Sequence, residues 1–312
     1  MLLAVDLGNG WTKAMGNGRS FMQPSVVGTS AVLFEGLTSH RGVSVWDETN
    51  REFFIGNLAI DQSDIKFFTI SDNKPQERIT GLLLEGAIAA LVSESRSVTL
   101  ELVTGLPVDH FATQREALRR RVESTGRIRA MVDGRRVDLM TSVVGHRTVP
   151  QPFGTAADLV LDDAGEIVNR DLAAQSLLVV DVGFHTVDLL ALRQLQIVQS
   201  SSKSVPYGLA VAYGALSKQM NGIPLWEVDR RVLHGSVPHV AQALAHLAEA
   251  INAEVASLNQ EFDVYLITGG GGAAMFGLLL PGRNKILADA PAMANVRGYL
   301  KLGARAWRRA IS

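Results

Sequence analysis

One short pattern occurs twice in this chain, and the repetition constrains the fold more than any other feature. An apolar stretch runs into an aspartate, a glycine-containing turn and a threonine, first at Asp6 and again at Asp181. Each copy predicts a β-strand that ends near the acidic residue and returns through a hairpin. The chain has 312 residues, which is long enough for two domains. We therefore expect two related halves, each with one acidic hairpin.

Strand-length apolar runs alternate with helical patterns along the chain, which predicts a mixed α/β fold. Asn9-Gly10 and Asp133-Gly134 are dipeptides typical of two-residue hairpin turns. The predicted strands include residues 2–6, 11–15, 99–104, 177–181, 187–192, 197–201 and 264–268. The predicted helices include residues 77–93, 111–124, 155–160, 209–220, 237–260, 273–280 and 292–310. The expected domains are residues 1–160 with 292–312, and residues 161–291.

Composition and charge exclude several classes of protein. There is no cysteine, so disulfides, thiolate metal ligands and a cysteine nucleophile are excluded. A formal net charge of −1 argues against direct binding to nucleic acid. Asp6 interrupts the first apolar run too early for a signal peptide, and no apolar stretch is long enough to span a bilayer. We expect a cytoplasmic protein with no membrane partner.

Three glycine-containing turns follow apolar strands, and their backbone N–H groups could approach a phosphate closely. Hairpins also need glycine for structural reasons alone, so no single turn decides the question. Two carboxylates that point into one site repel each other unless a cation is present. We therefore expect Asp6 and Asp181 to hold Mg²⁺, through water, beside the phosphates of a nucleotide. Lys13 would supply a positive charge to a phosphate oxygen.

Several segments carry a resemblance to a known superfamily. Residues 6–13 resemble the first phosphate motif of the superfamily of actin, sugar kinases and heat-shock chaperone ATPases, and residues 181–188 resemble the second. Residues 267–273 resemble its adenosine motif, and residues 294–299 lie where its late connecting helix belongs. Residues 54–59 and 103–108 are similar to prokaryotic actin-like proteins, among them the plasmid-segregating ParM/StbA kind and archaeal and phage relatives.

The resemblance implies a two-domain actin-like ATPase fold. Each domain would be a mixed β-sheet with flanking helices, and the nucleotide, ATP or GTP with Mg²⁺, would lie in the interdomain cleft. The two acidic turns would be what remains of a duplicated domain. The implied nucleotide-binding residues are Asp6, Gly8, Asn9, Gly10, Trp11, Lys13, Gly183, Phe184, His185, Thr186, Gly269, Gly270, Gly271 and Gly272.

The resemblance also assigns catalytic residues. Gln151 stands where actin-like ATPases carry a Gln or Glu that orients the attacking water, and Asp181 is assigned to the metal and to catalysis. Because an amide is not usefully basic, Gln151 could align a water but not deprotonate it, so we expect slow hydrolysis by an isolated subunit. Two alternatives remain open at this point: Gln151 as a polar turn residue, and His185 as a packed hairpin residue. We expect Asp188 to stabilise its hairpin.

The function implied by the resemblance is nucleotide-dependent assembly into a filament that segregates or positions plasmid DNA. The expected partners are further copies of the chain and a DNA-binding adaptor protein. A head-to-tail contact that does not close generates a filament, and we expect apolar residues at that contact. The candidates are Trp46, Phe67, Phe68 and the segment 223–226. The alternative is a small-molecule kinase or a non-polymerising nucleotide switch of the same superfamily.

Overall fold

The computed structural model describes residues 1–32, 41–68 and 73–308, in which strands and helices are mixed along the whole chain. The strands are β1 (Leu2–Leu7), β2 (Trp11–Gly16), β3 (Arg19–Pro24), β4 (Val26–Thr29), β5 (Val43–Trp46), β6 (Glu52–Ile55), β7 (Lys66–Phe68), β8 (Ser97–Leu106), β9 (Arg127–Val132), β10 (Arg135–Pro150), β11 (Ser176–Val182), β12 (Val187–Arg193), β13 (Gln196–Ile197), β14 (Lys203–Val205), β15 (Val264–Thr268) and β16 (Lys285–Leu287). The helices are α1 (Asn57–Gln62), α2 (Arg78–Leu91), α3 (Val108–Glu123), α4 (Gln151–Val160), α5 (Arg170–Ala174), α6 (Leu209–Gln219), α7 (Leu225–Leu233), α8 (Val240–Ala256), α9 (Gly272–Met275) and α10 (Pro291–Arg308).

The described residues form two compact units. The first comprises those within Met1–Leu106, His110–Val149 and Leu302–Ser312, and the second comprises Pro107–Asp109 and Pro150–Lys301. Helix α4 belongs to the second unit because it packs on strands β11, β12 and β15. The domain assignment made from the sequence, 1–160 with 292–312 and 161–291, stays a prediction.

The first unit is built on a sheet in which the described strands follow the order β3-β2-β1-β8-β10-β9-β5-β6-β4-β7. Strand β1 pairs antiparallel with β2 on one side and parallel with β8 on the other. Helix α2 covers this sheet. Ten of its residues between Thr80 and Leu91 are buried, as expected for a helix that is apolar around most of its surface. The core therefore lies between α2 and the sheet whose strand β1 carries Asp6.

The second unit repeats the same pairing in a smaller sheet of the order β13-β12-β11-β15-β16, with β14 joined to β12. Strand β11 pairs antiparallel with β12 and parallel with β15, as β1 does with β2 and β8. Helix α8 buries Leu244, Leu247, Ile251 and Val255 at the 3–4-residue spacing of one helix face. The shared pairing places each acidic residue near the end of a central strand.

Most of the predicted elements are confirmed, and their ends shift by a few residues. The predicted strand at 197–201 is wrong, because β13 ends at Ile197 and a 3₁₀ turn occupies Gln199–Ser201. The predicted helix at 273–280 is shorter, since α9 ends at Met275. The predicted end of the last helix, at residue 310, lies outside the described residues.

Candidate functional site

The two acidic hairpins share one turn geometry. The last paired residues are Leu7 with Thr12 in the first hairpin and Val182 with Val187 in the second, so four residues form each connection. A Cβ on Gly8 would lie 2.6 Å from the carbonyl oxygen of Trp11, and one on Gly183 would lie 2.8 Å from that of Thr186. In both turns the four connecting residues are half-buried while the preceding aspartate is buried. The glycine is therefore required in both hairpins by the same close approach of backbone.

This geometry corrects the turn expected at Asn9-Gly10. A two-residue type I′ turn needs positive φ at both central residues, and neither Asn9 nor Gly10 has it. Asp133 and Gly134 do, with φ of 48° and 79°, so the prediction is confirmed there. The acidic hairpins therefore have four connecting residues where the hairpin at Asp133-Gly134 has two.

In the first unit, Asp6 is paired with Lys13 across the hairpin. Their side chains form an ion pair of 3.2 Å between Nζ and Oδ2, and Asp6 is only 2% exposed. Ser25, which lies between β3 and β4, holds the turn, because its Oγ donates to the carbonyl oxygen of Gly8 over 2.6 Å and its N–H donates to that of Gly10 over 2.8 Å. These bonds fix the backbone that connects the two charged residues.

Lys74 is a functional candidate that the sequence analysis missed. Its ammonium group donates to the backbone carbonyl of Leu7, the last residue of β1. Burial lowers the pKa of Lys74 from 10.5 to about 7, against the opposing effect of the Asp6 carboxylate. Asn73-Lys74-Pro75 matches no phosphate motif, so only the fold brings this second amine to the first hairpin.

In the second unit, other elements hold the carbonyl groups of the hairpin turn. The N–H groups of Leu209 and Ala210, at the start of α6, donate to the carbonyl oxygens of Gly183 and Phe184 over 3.1 and 2.8 Å. The N–H of Gly271 donates to the carbonyl oxygen of Val182 over 3.0 Å. These bonds fix the turn, because a helix N-terminus supplies N–H groups that have no partner inside the helix.

The glycine run lies directly against the second hairpin. Gly269 has φ of 86°, and a Cβ on it would overlap Oδ1 of Asp181 and the carbonyl of Val182. A Cβ on Gly271 would lie 2.6 Å from a side-chain carbon of Val182, whereas Gly270 is exposed with open space around it. The structure thus brings the predicted second phosphate motif and the predicted adenosine motif together.

Asp181 is 7% exposed and is oriented by an amide. The side-chain amino group of Asn295 donates to Oδ2 of Asp181 over 2.6 Å. The same amide accepts from Thr155 of α4, whose hydroxyl lies 2.9 Å from that of Thr268. Asn295 lies on α10, the helix at the place predicted for the late connecting helix, and its sequence context predicts no role for it.

Asp188 links its hairpin to two other segments, β14 and the start of α3, while its predicted role in stabilising the hairpin stays a prediction. Its carboxylate accepts hydrogen bonds from the Ser204 hydroxyl of β14 and from the backbone N–H of Val108, the latter over 3.1 Å. Burial raises the pKa of Asp188 from 3.8 to about 7, and the neighbouring Asp181 adds to the effect.

The predicted catalytic glutamine begins a helix. Gln151 is the first residue of α4, directly after β10 ends at Pro150, and its backbone carbonyl accepts from the Tyr299 hydroxyl over 3.3 Å. Gln151 is half-buried.

In the same unit, Phe184 packs edge-on against His185 and Tyr213, at 5.1 and 6.0 Å between ring centroids.

Each acidic hairpin carries a donor that suits a hard cation. Asp6 in the first unit and Asp181 in the second are buried carboxylates, and carboxylate oxygens are the ligands that Mg²⁺ prefers. Gly269 leaves Oδ1 of Asp181 a space that a side chain would fill. Among residues 1–32, 41–68 and 73–308, no three His, Asp or Glu side chains form a cluster that could hold a metal alone. Either carboxylate therefore suits a metal whose other ligands are phosphate oxygens and water.

None of the helices in the part of the chain that the structure describes is both long and apolar enough to cross a membrane.

Comparison with known proteins agrees with this architecture. Residues 4–154 match the family of actin-like proteins, N-terminal domain. A comparison with curated sequences gives no match.

Among solved structures, the chain is similar to the apo psk41 ParM protein, with 20% identity and a TM-score of 0.76 over 100% of this chain and 99% of that one. It is similar to a ParM in a 15-stranded filament from Clostridium botulinum, with 21% identity and a TM-score of 0.80 over 97% of this chain and 99% of that one. It is also similar to the archaeal actin homologue Ta0583 in complex with ADP, with 18% identity and a TM-score of 0.73 over 98% and 99%. Residues 4–154 therefore match the actin-like N-terminal domain, and the described residues have the actin-like two-domain fold of these solved ParM structures.

Proposed function

We propose that this protein binds ATP or GTP with Mg²⁺, hydrolyses it, and assembles into filaments in a nucleotide-dependent manner. The observation that carries the proposal is the repeated hairpin, in which a buried aspartate precedes a half-buried turn with an obligatory glycine. Asp6 and Asp181 are assigned to the same magnesium nucleotide. The fold is that of an archaeal actin homologue whose complex with ADP is known, which supports an adenine nucleotide.

Each proposed role follows from the chemistry of the side chain. Asp6 and Asp181 would hold the metal through water, and the metal, when bound, would offset negative charge on the phosphate oxygens. Lys13 and the turn amides would bind phosphate oxygens, and the glycine run at Gly269 would accommodate the nucleoside end. Gln151 would orient a water without deprotonating it, which predicts slow hydrolysis.

Filament formation is proposed because the similar Clostridium botulinum ParM forms a 15-stranded filament. The exposed apolar side chains that could contribute to the contact include Ile65 and Phe67, which are 57% and 40% exposed. Of these two, only Phe67 was a candidate from the sequence. The remaining sequence candidates are half-buried except for the exposed Pro224, and they are Trp46, Phe68, Ile223, Leu225 and Trp226. We further propose that the filament is cytoplasmic and segregates or positions plasmid DNA through a DNA-binding adaptor.

Light scattering and pelleting after the addition of Mg²⁺ with ATP or GTP test the proposal. We expect scattering to rise with the triphosphate and to fall as phosphate is released. Protein at tens of micromolar that binds and hydrolyses nucleotide without any rise in scattering would reject the filament and favour the non-polymerising switch. Phosphate transfer to a small-molecule acceptor in place of water would favour the kinase.

A further inference from the structure

Asn295 makes two different connections from one buried side chain. Its amino group donates to Oδ2 of Asp181 over 2.6 Å, and its carbonyl oxygen accepts the N–H and the hydroxyl of Thr155 over 3.2 and 2.8 Å. The orientation of the amide is fixed, because a backbone N–H can only donate and so must face the oxygen. The amino group can then only face Asp181.

The network lies away from solvent and continues beyond Asn295. Asp181 and Asn295 are 7% and 6% exposed, and Thr155 and Thr268 are fully buried. The single proton of the Thr155 hydroxyl is shared between Asn295 and the Thr268 hydroxyl, which accepts over 2.9 Å. Thr268 in turn donates to the carbonyl of Pro291 over 3.1 Å. Buried hydrogen bonds of this kind are costly to leave unmade, so the network restricts each member to one position.

Thr155 lies on helix α4 and Asn295 on helix α10, and these two helices are held together along their length. A Cβ on Gly298 would overlap the carbonyl of Gly154, so the two backbones touch at this crossing. At one end the Tyr299 hydroxyl donates to the carbonyl of Gln151, and at the other Arg297 and Lys301 pair with Asp158 over 2.6 and 2.9 Å. Helix α4 therefore has no freedom to rotate on α10 without breaking several contacts.

We propose that Asn295 is a positioning residue that orients Asp181 and couples it to α4, the helix that begins with Gln151. The metal-holding carboxylate and the water-orienting amide are then parts of one rigid body in the second unit. This inference rests on the proposed function, because it assigns a role toward the nucleotide to a residue that does not touch it. Partners in such an outer position commonly contribute 10–100-fold to metal affinity.

The first test measures binding rather than turnover. The affinity of the full chain for a fluorescent ATP analogue is measured with Mg²⁺ and with EDTA, at a protein concentration that gives no scattering. We expect Asn295→Ala to reduce the Mg²⁺-dependent gain in affinity by about tenfold and to leave the affinity in EDTA unchanged. Asn252→Ala is the matched control, because the Asn252 amide likewise donates to one group and accepts from another, here the backbone of Leu278 and Leu280, but lies outside the network.

A second pair of variants tests the coupling to α4 and does not depend on the folding of Asn295→Ala. Thr155→Val removes the hydroxyl while keeping the N–H bond to Asn295, so we expect the Mg²⁺-dependent gain to persist. The hydrolysis rate at saturating nucleotide should fall about fivefold and return with Thr155→Ser.

The outcomes separate the two proposals. Wild-type protein that binds no nucleotide in Mg²⁺ overturns the proposed function and the role of Asn295 with it. Wild-type binding together with an unchanged gain in Asn295→Ala overturns the positioning role alone. A normal rate in Thr155→Val overturns the coupling to α4, whatever its melting temperature.

Discussion

Lys13 and Asp188 occupy the same position in the two hairpins. Lys13 pairs across the strands with Asp6, and Asp188 pairs in the same register with Asp181. The first hairpin therefore has an acid–base pair where the second has two acids. This difference explains why Asp188 needs donors from Ser204 and Val108, and why Asn295 is required to orient Asp181.

We predict that charge at Asp188 is dispensable but that its acceptor is not. Asp188→Asn keeps an oxygen for the N–H of Val108 and removes a buried carboxylate whose pKa is raised, so its free energy of unfolding should equal or exceed that of the wild type. Asp188→Ala leaves that N–H and the Ser204 hydroxyl without their acceptor and should lose about 1–3 kcal/mol. Urea unfolding without nucleotide, at about pH 8, measures both. Equal losses in the two variants would contradict the prediction.

Gly269→Ala should lower both stability and nucleotide affinity. The positive φ alone costs a non-glycine residue about 1–3 kcal/mol, and the added Cβ would also displace the Asp181 carboxylate. Gly270→Ala is the matched control in the same run, because nothing lies within 4 Å of its added Cβ. Thermal unfolding and nucleotide titration compare the two. Equal behaviour of both alanine variants would show that the glycine run is not packed on Asp181.

Asp181→Asn should weaken nucleotide binding in Mg²⁺ and have little effect in EDTA, because an amide is a poor ligand for a hard cation. Asp263→Asn is the control, since Asp263 accepts from Ser176 at the opposite end of β11. Nucleotide affinity over a range of Mg²⁺ concentrations is the measurement. Wild-type affinity for Asp181→Asn in Mg²⁺ would remove this residue from the metal site.

Gln151→Ala should bind nucleotide normally and release phosphate at least about tenfold more slowly, because the attacking water loses its orientation. Gln196→Ala, on the exposed strand β13, controls for the loss of a glutamine amide. Single-turnover phosphate release separates binding from chemistry. Phosphate released at the wild-type rate would assign Gln151 to the polar-turn alternative.

We predict that His146 makes the first unit less stable to unfolding in acid. Its Nε2 lies 2.8 Å from the buried Thr104 hydroxyl, and burial lowers the pKa of His146 from 6.5 to about 4. Between those values the unfolded chain binds a proton that the folded chain does not, so stability falls as pH drops from about 6.5 to about 4. His146→Gln should remove this contribution, which amounts to about 2 kcal/mol at pH 5. Urea unfolding of both proteins at about pH 8 and pH 5 measures it, and parallel pH dependences would refute it.

The local elements could be predicted because their signals are local. The spacing of Leu244, Leu247 and Ile251 is enough to predict α8, and the apolar run that ends at Thr268 predicts β15. Both acidic turns could be located from the sequence, because each has strand-forming residues followed by glycine. The number of residues in the first turn could not be predicted, because Asn9-Gly10 satisfies the rule for a two-residue turn that the surrounding strands do not adopt.

The sequence alone determined the mixed α/β class, the two acidic hairpins and the glycine run, since each depends on residues that are neighbours in the chain. Only the tertiary structure decided which distant groups surround them. Lys74 reaches Leu7, Asn295 reaches Asp181 and Val108 reaches Asp188 across 67 to 114 residues of chain. No spacing rule encodes such pairs, because they arise when parallel strands and crossing helices bring distant segments together. Burial then raises the free-energy cost of leaving these polar groups unpaired.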